Sequence, residues 1–146
     1  MPPISIAVSA LRKGAPERDR PLAGQSPYLV NAGLFYQHDD KGISASLLYN
    51  RIGKRIESVG VPMQDQNEDI PDIYEMPRNS LDLTFSKKIG KAVEIKAGIQ
   101  DMLNSKIEYK QFVKLTDQNG GKREREQLVR SYRPGVDINV GVSLKF

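Results

Sequence analysis

The residues with chemistry to offer are few and scattered along the chain. The stretch "QDQNEDIPD" (64 to 72) gathers Asp65, Glu68, Asp69 and Asp72, and carboxylate oxygens at that density suit a hard cation such as calcium. Its spacing matches no EF-hand loop and Pro71 interrupts it, so a solvated acidic loop is the simpler reading and a weak cation site the alternative. The stretch "TDQNGGKREREQ" (116 to 127) holds Gly-Gly-Lys without the G-x-x-x-x-G-K-[ST] of a phosphate loop. It predicts a turn at Asn119-Gly120-Gly121, with room for a small protruding hairpin. Arg123, Arg125, Arg130 and Arg133 carry planar forks that fit an anionic ligand, although charge in an exposed loop also serves plain solubility. Asp82, Glu94, Lys96, Asp137 and Lys145 look at first like a carboxylate cluster with a base. His38 is the one histidine, and there is no cysteine to act as thiolate nucleophile or metal ligand. No serine has a histidine or cysteine in a position to activate it, so enzyme activity is disfavoured, and no metal or cofactor is expected.

Composition narrows the remaining classes. The net charge is +4 with acids and bases interspersed, which argues against a nucleic-acid partner. No run approaches the roughly 18 to 20 apolar residues of a spanning helix, and "MPPISIAVSA" lacks the basic region and long apolar core of a signal peptide. A polar average does not exclude a membrane β-barrel, whose strands alternate faces.

The elements that position these residues are strands. Alternation of period two recurs in "ISIAVSA" (4 to 10), "YLVNAGLFYQ" (28 to 37), "ISASLLYN" (43 to 50), "SLDLTFSKKI" (80 to 89), "VEIKAGIQ" (93 to 100) and "VDINVGVSLKF" (136 to 146). Helical periodicity is nowhere comparable, so the chain reads as all-β, an antiparallel up-and-down meander of about six long strands. One face would carry Ile4, Ile6, Val8, Val30, Ala32, Leu34, Tyr36, Leu47, Tyr49, Leu83, Phe85, Ile95, Ile99, Ile138, Val140, Val142, Leu144 and Phe146, with no charge among them. The other is rich in Ser, Asn, Gly and the charged cluster above, with Ala7, Leu29, Phe35 and Leu48 as its apolar members. Alternation thus explains that cluster without catalysis, with cross-strand pairing expected to neutralise it.

An apolar face can turn inward to a soluble core or outward to lipid, and the connections favour lipid. Residues 38 to 42 and 90 to 92 make tight turns, whereas 11 to 27, 51 to 79 and 101 to 135 are long. Short turns on one end and long loops on the other are the asymmetry of an outer-membrane barrel. Tyr28 and Tyr49 would then lie at the outer boundary, Tyr36 and Phe146 at the inner one, as aromatic girdles do. An eleven-residue final strand rises roughly 36 Å, and a tilt of about 45° brings it near the apolar band of about 25 Å. Six strands leave two edges open, so further strands or further copies are expected to close the wall.

"RPLAGQSPYLVNAGLFYQ" (20 to 37), "SLLYNRIGKRIESVG" (46 to 60), "PDIYEMPRNSLDLTFSKKIGK" (71 to 91), "GIQDMLN" (98 to 104) and "SYRPGVDINVGVSLKF" (131 to 146) resemble the C-terminal barrel segment of TonB-dependent outer-membrane receptors, the Bacteroidota type in particular. The resemblance runs from about residue 4 to the end. It implies a 22-stranded transmembrane β-barrel with a plug domain in the lumen, TonB-driven uptake of a metal chelate, vitamin or glycan, and a place in the cell outer membrane of a Gram-negative bacterium. On it, residues 1 to 146 are a single segment holding the last six strands, a fragment not competent for transport alone, with signal peptide, plug and earlier strands outside it. Its partners would be outer-membrane lipid, the remainder of the receptor, TonB through the plug, and the barrel-assembly machinery. That machinery would read a terminal signal of Ile138, Val140, Val142, Leu144 and Phe146 by edge pairing. From their charge alone, Arg123, Arg125, Arg130 and Arg133 would contact an anionic ligand or the phosphates of lipopolysaccharide, with ordinary loop solubility as the simpler reading. The alternative from another class is a soluble β-sandwich or lipocalin-like module binding a small ligand.

Overall fold

A computed structural model describes residues 4–11, 22–61, 70–90, 92–116 and 121–144. They form ten strands: β1 (Ile4–Leu11), β2 (Leu29–His38), β3 (Ile43–Ile52), β4 (Arg55–Ser58), β5 (Ile73–Glu75), β6 (Arg78–Ile89), β7 (Val93–Gln100), β8 (Ile107–Thr116), β9 (Lys122–Tyr132) and β10 (Asp137–Leu144). There is no helix among the described residues. All six alternating segments are strands and lie side by side in one antiparallel sheet, ordered β1-β2-β3-β6-β7-β10. That is the meander the alternation predicts. The tight turns are present too, with Gly42 N–H donating to Asp39 O at 3.0 Å to close the β2–β3 connection.

Two of the three long connections are corrected by the structure. Residues 51 to 79 and 101 to 135 are not open loops but contain β4, β5, β8 and β9, a second antiparallel sheet ordered β4-β5-β8-β9. The expected small hairpin is β8 and β9, strands of 10 and 11 residues. The order repeats that of the first sheet, because β3 leads into β4, β5 into β6, β7 into β8 and β9 into β10. Two hairpins thus run through both tiers, interrupted at one level.

The interruption has local causes. Gly53 and Lys54 separate β3 from β4, and Met76 and Pro77 separate β5 from β6, where a proline has no N–H for a ladder. Between β7 and β8 the chain turns through Asp101 (φ 50°) and Asn104 (φ 44°), left-handed positions that short polar side chains tolerate best. Asn104 N–H donates to Asp101 O at 2.7 Å, and Asn104 Oδ1 accepts Gly135 N–H at 3.1 Å from the β9–β10 junction. The "DMLN" stretch is therefore the corner at which two strands change tier.

The strongly buried apolar side chains among the described residues, Ile56, Ile107 and Tyr109, all belong to the second sheet. The first sheet contributes none, and this decides where a functional surface has to be sought.

Candidate membrane-facing surface

The register of the first sheet brings the expected apolar residues together as continuous rows. Ile6, Leu34, Leu47, Leu83, Ile99 and Ile138 are successive cross-strand partners, one from each strand. Ile4, Tyr36, Ala45, Phe85, Ala97 and Val140 form the next row. Since every partner is in phase, a slip of one residue would move a strand's own apolar set off these rows and onto the reverse face. The rows are open to the surroundings: Ile6 is 74% exposed, Val140 72% and Leu34 43%. Inner strands are less exposed because neighbours flank their side chains on both sides, and no described strand packs over the sheet.

Of the residues expected as an assembly signal, Ile138, Val140, Val142 and Leu144 lie on this face of β10, opposite Ile99, Ala97, Ile95 and Val93. β10 is an edge strand with its outer side unpaired. Phe146 and Lys145 are outside the described residues, and β10 is described from Asp137 to Leu144. At the other end of the face Tyr49 Oη donates to Asn79 Oδ1 at 2.9 Å, and Arg51 Nη1 donates to the same oxygen at 3.2 Å. A Cβ built on Gly53 would come within 2.7 Å of the Tyr28 ring, which shows how closely Tyr28 covers that backbone. The expected outer tyrosines therefore stand in a polar collar above the apolar rows.

The reverse face is made of hydroxyls and amides. Ser44 and Ser86 hydrogen-bond at 2.7 Å, Ser46 bonds Thr84, and Asn50 donates to Asn31. Phe35, an apolar member of this face, sits over Gly33, where an added Cβ would meet its ring at 2.8 Å and Leu48 at 3.0 Å. The aromatic covers backbone that glycine leaves bare. The charged members are neutralised differently from the expectation of cross-strand pairs. Asp82 accepts the Asp101 backbone N–H at 2.8 Å, and Glu94 meets Lys96 of its own strand at 3.5 Å. Asp137 lies exposed at the start of β10. They are spread over the sheet and do not converge on one point.

The second sheet is held by charge and aromatic contacts. Its one face carries the row Arg55, Glu75, Tyr109 and Arg130. Arg55 donates from Nε and Nη2 to Glu75 Oε2 at 2.9 and 2.6 Å, which satisfies a carboxylate that is only 7% exposed. Arg130 stacks over Tyr109 with its guanidinium 4.4 Å from the ring centre and lies 5.6 Å from that of Tyr132. Burial, and then a hydrogen bond to Tyr132, push the Tyr109 hydroxyl pKa up.

On the opposite face Lys54 Nζ lies 4.0 Å from the Tyr74 ring centre and 3.7 Å from that of Phe112. Burial between the rings lowers the Lys54 pKa, with Glu124 and Glu126 opposing the shift. Lys110 Nζ bridges Glu126 at 2.5 Å and Glu108 at 3.4 Å, while Lys106 reaches Glu108 at 2.8 Å. The hydrogen bond from Lys106 depresses the Glu108 pKa, and that to Glu126 raises the Lys110 pKa.

The remaining residues singled out in the sequence fall in several places. Asp65, Glu68, Asp69, Asn119 and Gly120 lie outside the described residues. Asp72 accepts the Gly60 N–H at 2.7 Å, a structural bond. Among the described residues no three His, Asp or Glu side chains converge as a metal site. His38 ends β2 beside the tight turn. Arg123, Arg125 and Arg130 share one face of β9, and Arg133 follows the strand, exposed. Sequence reading missed Lys54, Tyr74, Glu75, Tyr109 and Phe112 as structural centres, since none sits in an apolar alternation. No protein-family model, no curated protein and no solved structure matches this chain.

Proposed function

We propose that this chain is a membrane wall segment, the C-terminal part of the barrel of a TonB-dependent outer-membrane receptor that takes up a scarce nutrient. The single observation that supports the reading most is the apolar row crossing all six strands, exposed at Ile6, Leu34 and Ile138, half-buried at Leu47, Leu83 and Ile99, and backed by a face rich in hydroxyls and amides. A contiguous apolar surface of this extent marks a contact site in a water-soluble chain, whereas lipid is its natural solvent in a barrel.

The role of each part follows. The apolar rows face acyl chains, and the collar of Tyr28, Tyr49, Arg51 and Asn79 meets the headgroup boundary. The hydroxyl and amide face lines a polar lumen, where a plug would sit. The unpaired edges of β1 and β10 join the other strands of a 22-stranded barrel, since lipid does not hydrogen-bond an open edge. Ile138, Val140, Val142 and Leu144 with Phe146 form the signal that the assembly machinery captures by strand pairing. Uptake needs the plug, its TonB contact and the proton gradient, so the segment works as part of the whole receptor.

Because the chain has no cysteine, single-cysteine probes test this cleanly. An environment-sensitive fluorophore on Val140→Cys should be quenched by nitroxide on lipid acyl chains, and one on Asn139→Cys should not. A chain that stays folded and monomeric in detergent-free buffer, with both probes indifferent to lipid, overturns the reading in favour of the soluble binding module.

A further inference from the structure

We propose that the face of the second sheet bearing Arg125 and Arg130 is a docking surface for phosphorylated, anionic lipid headgroups. The inference rests on the reading of the first sheet as a membrane wall and concerns which side of that wall the arginines occupy.

Alternation carries through the junction between tiers. Arg51 and Gly53 contact the collar on the apolar side, Arg51 through Asn79 and Gly53 through Tyr28. Lys54 points the other way, to Tyr74 and Phe112. Arg55 returns to the face of Glu75, Tyr109 and Arg130. The β5–β6 junction agrees, because Asn79 bonds Tyr49 on the apolar side and Glu75, four residues earlier, lies on the Arg130 face. That face therefore stands directly beyond the apolar rows, on the lipid side and not the lumen side. A cargo site would need the other face.

The same side concentrates positive charge. Strict alternation from Arg125 along β9 would put Arg130 on the opposite face, with Glu124 and Glu126. A bulge prevents this: Tyr109 pairs with Arg130 but Lys110 with Leu128, so Val129 is an extra residue that shifts the phase. Arg125 and Arg130 then share a face with Arg123, and the glutamates fall behind them with Lys110 and Lys54. Among the described residues no carboxylate pairs with Arg130, since the nearby Glu75 is taken by Arg55. The guanidinium lies 4.4 Å from the Tyr109 ring centre and shares a hydrogen bond with the Tyr109 hydroxyl, which holds it in place while a five-donor fork still has donors to offer an anion. A fork held in this way suits phosphate oxygens.

The test uses the full chain in vesicles of zwitterionic lipid doped with a phosphorylated anionic lipid. A fluorophore on Gln127→Cys, between the two arginines on the same face, reads headgroup-labelled anionic lipid nearby, and one on Val140→Cys reads acyl-chain quenching. Anionic lipid should be enriched at position 127. The double variant R125Q/R130Q should lower that enrichment by about fivefold for each arginine, with acyl-chain quenching at 140 unchanged. R125K/R130K should recover part of it, K41Q in the β2–β3 turn should not lower it, and inorganic phosphate should compete only weakly.

If quenching at 140 persists while R125Q/R130Q leaves the enrichment intact, or K41Q lowers it equally, the docking surface is wrong and the membrane reading stands. Full displacement by inorganic phosphate would assign the site to a soluble anion and overturn the lipid proposal. Loss of quenching at 140 in the unaltered chain removes both.

Discussion

The two sheets share strand order, antiparallel pairing and the same two hairpins, yet they are held in different ways. In the first sheet each strand is mainly apolar on one side, Lys87 excepted, and mainly polar on the other, and none of its described side chains contributes to a buried apolar core. In the second, the faces are crossed by Arg55–Glu75, Lys110–Glu126 and the Lys54–Tyr74–Phe112 stack, around the buried Ile56, Ile107 and Tyr109. One backbone ribbon therefore changes from faces divided by hydropathy to faces crossed by charge pairs and rings within the few residues of the junction. A strand in water on both faces gains from pairing charges and stacking rings across the ladder, while a strand beside lipid needs only a clean apolar face. The junction residues Pro77, Asp101 and Asn104 mark where one regime yields to the other.

Substitutions can break this contrast at its strongest point first. Leu34→Arg, in the middle of the six-strand row, should destabilise the lipid-inserted chain by about 2 to 4 kcal/mol, whereas Ser46→Arg on the reverse face should cost far less. Denaturant titration in vesicles checks the pair, and equal costs would remove the distinction between faces. Next in size, Arg55→Leu leaves the Glu75 carboxylate buried without its partner and should cost about 2 kcal/mol, reduced from a fully buried pair because Arg55 is 38% exposed. Hydrogen exchange should locate the loss in β4, β5 and β8 and leave β1 and β2 protected; loosening of both tiers together would show that they are one cooperative unit.

Smaller effects sharpen the account of the second sheet. Phe112→Leu removes one of the two rings beside Lys54 and should cost about 0.5 to 1 kcal/mol from the cation contact, beyond the change in packing. A double-mutant cycle with Lys54→Met isolates the coupling, and a value near zero would make the stack incidental. Acid should act more gently still. Glu108 has a depressed pKa in the folded chain, so its contribution is complete above the ordinary carboxylate value near about 4.3 and is lost as pH falls through the lower folded value. Exchange in β8 and β9 should rise over that window, and Glu108→Gln should abolish the pH step.

Most of the first sheet was legible because period-two apolar alternation is a signal each strand carries alone. The second sheet was not, for reasons that individual strands show. β5 has three residues, too few to display a period. β9 reads Arg-Glu-Arg-Glu over residues 123 to 126, which alternates in sign of charge instead of in hydropathy. That pattern was itself the available clue, since opposite charges on alternate residues also sort onto two faces. β8 hides its buried Ile107 and Tyr109 among charged residues, Lys106, Glu108 and Lys110, which pair with one another and with Glu126 of β9.

The sequence by itself determined the strands of the first sheet, the division of each into a mainly apolar and a mainly polar face, and the short connections between them. Those properties are local, fixed by the side-chain period of an extended chain. Only the tertiary structure decided that the apolar residues align into rows across six strands, that two apparent loops form a second tier, and that Val129 turns Arg130 onto the face of Arg125. These depend on register between segments far apart in the chain, where a single extra residue reverses which side of the sheet a charge occupies.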